Sequence, residues 1–583
     1  MNADSLTATK IIFGDANRPT LVRRPMKSFR TITWLICIIA CGFILYPIIR
    51  LIVRVVGITD TGWQFPLVLD AIVQSSTLIA LRNASIAVAG GGAIALVIGT
   101  LFAWLNARTN ARVGFFAEVL PLTSLFVPAL AGTIGWLFLA APVAGLLNYW
   151  IRGALSLFGI NLQSGPLNIS TWPGMIFLYG LYLTSYVYLA VTSGLQSLDS
   201  SLEEAARMSG AGPLQILRRI TLPNLKPAIG AAILQIITIG FALFSIPVII
   251  GTTANIKVLP VEIVYSITRQ VPPNLPKALG MSLILIAIVV IVTLVQRRSI
   301  QAVTFARIGG RGIRANVFTL GPWKYPARIL MLGYLIATSV LPFFALLIVS
   351  FQGFWTPKIN WSRLNLANYT RIWNQDLARQ SVTNSLLLAL IAATAAVFIC
   401  ALISYSISRN SSLWSRLVDV TMKIPATISH IIMGVAFLIA FAGPPFEWSG
   451  KLILVLTAYI VIYLPQASIL SNAAVQQIGP EVTEAAKVSG AHSGEVFCRI
   501  ILPLMMPSLL AAWALVFVLT VGDINVSALL AAPSRPVVGL MMLDIWDSAS
   551  YPMVAAFGVV ITMISSVVVV TVLAFSRRFY FRR

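Results

Sequence analysis

EAARMSGAGPLQILRRITLP, residues 204–223, and EAAKVSGAHSGEVFCRIILP, residues 484–503, are one segment written twice. The offset is 280 residues, with no gap inside the segment. Glu204, Ala205, Ala206, Ser209, Gly210, Ala211, Arg219, Ile220, Leu222 and Pro223 recur as Glu484, Ala485, Ala486, Ser489, Gly490, Ala491, Arg499, Ile500, Leu502 and Pro503. A polar block repeated inside an apolar chain implies an internal duplication, with both copies presenting one device on the same side of a membrane.

The surrounding chain has 583 residues, 58% of them hydrophobic and 10% charged, and a mean hydropathy of +0.89. So few charges cannot cover the apolar surface of a soluble domain this large, and the class is an all-α polytopic membrane protein. The formal net charge is +23. Its basic residues lie in short gaps between apolar runs without interleaved aromatics, which fits a lipid bilayer as partner and not nucleic acid.

The four cysteines are Cys37, Cys41, Cys400 and Cys498. Cys37 and Cys41 share a helix face; they read as small residues in a packed span, the rival reading being a metal pair. The polar stretch before Thr31 is too long for a usual signal peptide, so the first apolar run is expected to be a retained anchor.

A helix needs roughly 20 apolar residues to cross the hydrocarbon. Such runs occur near 32–55, 84–106, 115–141, 172–194, 226–250 and 278–296, and again near 327–351, 384–407, 417–441, 451–471, 506–530 and 553–575. We number these about 12 expected spans in chain order. Lys and Arg gather in the N-terminal tail (Arg23, Arg24, Lys27, Arg30), the central stretch (Arg297, Arg298, Arg307, Arg311, Arg314, Lys324, Arg328), the loops with Arg108 and Arg112 or Arg409 and Arg416, and the final RRFYFRR. All are cytoplasmic if both termini are. Arg50 and Arg54, near the outer end of the first span, read as snorkelling. Trp34, Trp104, Trp150 and Trp361 read as interfacial anchors.

Six spans per half give both halves the same orientation, so they form parallel repeats about an axis along the membrane normal. Asn83 to Arg108 echoes Asn384 to Arg409. The outer loop 143–171 is long and its counterpart near 443–450 is short. The expected division is a cytoplasmic tail 1–31, a first half 32–298 with its repeated loop at 200–224, and a cytoplasmic linker 299–326. A second half 327–576, with its loop at 480–504, and a basic cytoplasmic tail 577–583 complete it.

Glu-Ala-Ala opens a helix of high propensity. Gly210 and Gly490 permit a turn that a Cβ resists. A second short helix ends at Leu222-Pro223 and Leu502-Pro503, where proline breaks the backbone. The product is a helix–turn–helix on the membrane surface that exposes a compact, partly apolar knob to the cytoplasm.

The pattern Glu-Ala-Ala, three residues, Gly, nine residues, Ile-x-Leu-Pro resembles the EAA loop of binding-protein-dependent ABC importer permeases. Both copies match it at every fixed position. The resemblance implies a type I ABC importer permease fold in which this loop docks into a cytoplasmic ATPase. It assigns ATPase coupling to Glu204, Ala205, Ala206 and Gly210, and to Glu484, Ala485, Ala486 and Gly490. Gly212-Pro213 against His492-Ser493 leaves room for different contacts by the two knobs. The implied partners are two copies of an ABC ATPase subunit and a periplasmic or lipid-anchored solute-binding protein, and the implied location is the bacterial inner membrane. The chain contains no GxxxxGK[ST] loop, so ATP is expected to be used by the partners, with no cofactor and no catalytic residue in this chain. Gly90-Gly91-Gly92 lies in an apolar run without a Lys and reads as packing.

The two-half length resembles the ferric-iron branch of these importers, as do FALFSIPVIIGTT (241–253), SRPVVGLMMLDIWD (534–547) and LGPWKYPARILMLGYL (320–335). Ferric iron is the expected cargo. A small organic ion (2-aminoethylphosphonate, a polyamine or thiamine) is the alternative within the class.

The translocation path offers few polar side chains. Asp523, flanked by Gly522 and near Asn525, falls within the eleventh expected span, where a carboxylate is costly. Its repeat counterpart is Leu243. Asp523 and Asn525 are candidate path residues for a cation; the rival reading is a cap or interhelical hydrogen bond. Glu262 and Asp544 read as outer gate or packing residues. His430 reads as a hydrogen-bonded core residue, since no metal-spaced cluster accompanies it. A secondary transporter is the different-class alternative, but it needs intramembrane coupling charges and leaves the repeated knobs unexplained. A membrane enzyme needs a His and acid constellation, and the chain has two histidines far apart.

Overall fold

A computed structural model describes residues 27–59, 62–112, 127–198, 201–304, 317–408 and 412–581. The basic tail before Lys27, Arg307, Arg311, Arg314, Arg409 and the final Arg582 and Arg583 lie outside them.

The chain is helical almost throughout; among the described residues the strands are a two-residue hairpin, Ile58–Thr59 with Gly62–Trp63. Among the described residues nine helices are long and apolar enough to cross a membrane, or up to eleven if two bent pairs each count once. In the first half the straight ones are Thr31–Val56, Ser75–Arg108, Trp172–Gln196 and Leu275–Gln296. In the second they are Gly321–Ser350, Asp376–Ser408, Leu452–Gln476, Ser493–Val521 and Tyr551–Val572.

The third run of each half departs from a straight crossing. In the second half Leu413–Thr427 and His430–Phe441 meet at 109°. The break carries Pro425 and an extended Ile428. In the first half the described part is Ala129–Ala140, entered through Pro128. The fifth run starts at a 70° bend, where Pro213–Asn224 of the repeated loop meets Lys226–Ala242. It also ends sooner than its hydropathy suggests, because Leu243 turns extended. The eleventh likewise stops at Val521, and a new turn starts at Ser527.

Each half lends its first span to the other. The first span packs on His430–Phe441 of the second half, and the seventh packs on Ala129–Ala140 of the first. Aromatic rings fill the former seam: Phe441 stacks on Trp448 at 5.0 Å and meets Tyr46 and Phe43 at 5.4 and 5.8 Å. In the latter seam Trp136 Nε1 donates to the Ala337 carbonyl at 2.9 Å, and Tyr334 donates to the Leu181 carbonyl at 2.8 Å. Such reciprocal exchange is what parallel repeats about one axis produce.

Inside each half the second and fourth spans, and their equivalents the eighth and tenth, pack along one another. A Cβ on Gly91 would lie 2.3 Å from the Tyr179 Cβ. Only glycine therefore lets these backbones approach so closely. Trp104 is 6% exposed and belongs to this core rather than to an interfacial belt, whereas Trp150 and Trp361 are exposed. The long outer loop of the first half folds on itself around buried Asn148, which donates to the Ala141 and Leu167 carbonyls at 2.8 and 2.7 Å.

Candidate coupling segments and interior carboxylate

The two repeated segments take the same conformation residue for residue. Helices Ser201–Met208 and Pro480–Val488 end in glycines with φ of 81° and 83°. Past each glycine the amide of Ala211 or Ala491 reaches back to the Ala206 or Ala486 carbonyl, at 3.1 and 3.0 Å. This left-handed cap satisfies a carbonyl that the helix end leaves free. Ser209 and Ser489 each donate to the carbonyl four residues earlier, at 3.0 Å in both copies. Short helices Pro213–Ile216 and Ser493–Val496 follow, each passing into one π turn, Leu217–Thr221 and Phe497–Ile501, before the Leu-Pro pair.

The knobs point outward. Met208 is 88% exposed and Val488, its repeat equivalent, 89%. Gly210 and Gly490 open onto empty space. Of the expected coupling residues, Glu204 and Ala206 are half-buried and Ala205, Glu484, Ala485 and Gly490 exposed, while Ala486 is buried.

Sequence reasoning missed how the first knob is held. Glu203, just before the Glu-Ala-Ala triplet, is buried. Arg108 Nε lies 2.8 Å from its Oε2, and Thr221 donates to its Oε1 at 2.7 Å. Arg108 also donates to the Leu195 carbonyl at 3.0 Å. Arg108, expected as a loop charge, is thus an internal ion-pair partner. The signal was the acidic residue at 203 with Thr483 as its repeat equivalent: a charge present in one copy of the duplication and not in the other.

Asp523 sits where the eleventh span breaks, and its side chain is 1% exposed. One oxygen accepts from the Val526 amide and the other from Tyr463, both at 2.9 Å. His430 Nδ1 stands 3.7 Å from that second oxygen, and its ring meets Tyr463 edge-on at 5.5 Å. The carboxylate thus caps a helix break and ties the tenth span to the eleventh, the hydrogen-bonding role that sequence left as an alternative. Asn525 is half-buried beside it. Next to the seam between halves lies a small, mainly apolar, open cleft bordered by Thr133, Trp136, Tyr182 and Thr338.

Glu262 and Asp544 occupy equivalent short helices, Leu259–Thr268 and Val538–Asp547. Glu262 lies 3.8 Å from Lys277 Nζ. Partial desolvation, and after it the Asp547 charge, hold the Asp544 carboxyl above its ordinary range. Arg269, which follows the first of these helices, pairs with Asp547 of the second and stitches the two halves together at this end. Among the described residues no group of three or more His, Cys, Asp or Glu side chains gathers as a metal site.

The sequence profile of the family described as binding-protein-dependent transport system inner membrane component matches residues 95–305 and 398–583, once in each half. The chain belongs to this family. It is an ABC importer permease, a transport subunit of an inner-membrane system. Among its relatives is a putative ferric transport system permease protein FbpB 1 of Haemophilus influenzae, 24% identical, the match covering 83% of this chain and 75% of that one. The ferric transport system permease protein FbpB of Actinobacillus pleuropneumoniae is 22% identical over 82% and 68%. The spermidine/putrescine permease PotC of Escherichia coli is 25% identical over 42% of this permease and 92% of PotC. A crystal structure of a bacterial ABC transporter that imports alginate aligns with 44% of this permease and 94% of its own chain, at 17% identity and a TM-score of 0.36.

Proposed function

We propose that this permease supplies both halves of the translocation path of an ATP-driven importer, and that its two knobs each dock one of two ABC ATPase subunits. The duplicated knob carries this reading: two copies share turn, glycine conformation and an exposed apolar tip at the same repeat position. Both knobs and both chain termini then face the cytoplasm. ATP binding closes the ATPase pair, the knobs approach one another, and the two halves rock to open outward; hydrolysis returns them. A solute-binding protein delivers the cargo to the outer face, where Arg269 and Asp547 meet.

We propose ferric iron as the cargo, supported by two ferric permease relatives whose matches run through both halves. Asp523 and Asn525 would then be reached by the ion once the seam opens. Polyamine is the second reading, favoured by the match to PotC, which spans about one half. The test is ATPase stimulation in the reconstituted importer, with its own ATPase and binding protein, offered ferric iron, a polyamine, thiamine or an aminophosphonate. Stimulation by iron alone supports the reading; stimulation by another solute alone replaces iron as cargo.

A further inference from the structure

We propose that Arg108 and Glu203 are positioning residues: they form a joint that makes the first knob move rigidly with its own half and with the seventh span, while the second knob has a threonine, not a carboxylate, at the position equivalent to Glu203.

The joint gathers five pieces of chain. Arg108 ends the second span, and its guanidinium pairs with Glu203 on the knob's first helix while donating to the Leu195 carbonyl at the end of the fourth span. Thr221, at the end of the π turn that follows the knob's second helix, holds the other oxygen of Glu203. The Arg108 carbonyl accepts from the Phe318 amide at 2.8 Å, which fastens the chain entering the second half. Just beyond, Arg328 of the seventh span donates to the Ala111 and Arg112 carbonyls at 3.2 and 3.1 Å. The pair's side chains are 6% and 4% exposed. A pair so shielded from water resists separation, because either charge left alone would be buried without a partner. Push on the first knob therefore reaches both halves.

The second knob is built otherwise. The positions equivalent to Glu203 and Thr221 are Thr483 and Ile501, both buried. Neither brings a carboxylate, so no ion pair of this kind can form there. The two knobs share a shape and differ in the side chains that hold them: an Arg–Glu ion pair at the first, uncharged residues at positions 483 and 501 of the second.

This inference rests on the coupling role proposed above, yet the two fail separately. The experiment uses the full chain in lipid nanodiscs, first alone and then with its ATPase and loaded binding protein. Wild type, Glu203→Gln, Arg108→Gln and the double variant are compared. Amide exchange is read at 201–208 and 480–488, and solute imported per ATP is read in the full assembly. In wild type alone, 201–208 should exchange at least ~10-fold more slowly than 480–488. Each single variant should remove that difference, leave 480–488 unchanged and lower solute per ATP at least ~5-fold, and the double should be no worse than either single. Equal exchange of the two wild-type knobs overturns the joint, and that comparison stands even if a variant fails to insert. Unchanged solute per ATP in a folded single variant, or single effects that multiply in the double, overturns its positioning role. Failure of the knobs to contact any ATPase would instead overturn the coupling reading, whatever the exchange rates.

Discussion

Asp523 keeps a carboxylate inside an apolar seam because both its oxygens are occupied, by the Val526 amide and the Tyr463 hydroxyl. Asp523→Ala strands the buried Val526 amide, while Tyr463 keeps the Leu519 carbonyl 3.1 Å away, and should cost about 1–3 kcal/mol. Asp523→Asn retains an acceptor and should cost less, an order that thermal melting of the purified chain would show. At Gly210 and Gly490 the reasoning runs the other way. A side chain there meets no atom of this chain within 4 Å, so the local cost is the left-handed backbone alone, roughly 1–2 kcal/mol. Replacing both with Leu should leave the chain inserted and abolish uptake, because the new side chains project where the ATPase would sit. Normal transport by that variant would remove the coupling role. The glycines and the alanines around them were legible in the sequence, since repetition marks them. Tyr463 and Arg108 were not: each partners a carboxylate distant in the chain, and only packing brings them together.

The helices illustrate what apolar runs do and do not encode. Hydropathy located most of the crossing segments because a single segment in lipid must bond its own backbone, as a helix does. It could not show direction, so the ninth run, bent by 109°, reads the same as a straight one. Tryptophan misled for a similar reason: Trp104 lies near a helix end, yet faces the core. The glycine run in the second span was legible as packing, and the contacts explain it, with Gly91 set against the Tyr179 Cβ and the backbone of Gly180 and Ile176. Gly91→Leu should push the second and fourth spans apart and cost at least about 1–3 kcal/mol, seen as a lower melting temperature. Gly153→Leu, at an open position in the outer loop, should melt like wild type.

At the scale of the whole molecule, the reciprocal exchange of first spans makes each half incomplete without the other. The aromatic seam around Phe441 and the bonds from Trp136 and Tyr334 hold the halves together independently of the linker. Two separately encoded halves, divided between residues 305 and 316, should therefore assemble when co-expressed and transport at no less than about half the intact rate. Uptake by the co-expressed pair, against either half alone, checks this. The exchange was not legible in the sequence, which fixes the order of spans but not their neighbours. The two knobs carry the account of function, and they can be tested by contact. A photo-crosslinking residue placed at Met208 or Val488, in the importer assembled with its ATPase, should trap the ATPase subunit from both positions. The same probe at Trp361 should trap none. Absence of ATPase crosslinks from both knobs, in an importer that transports, would contradict the account.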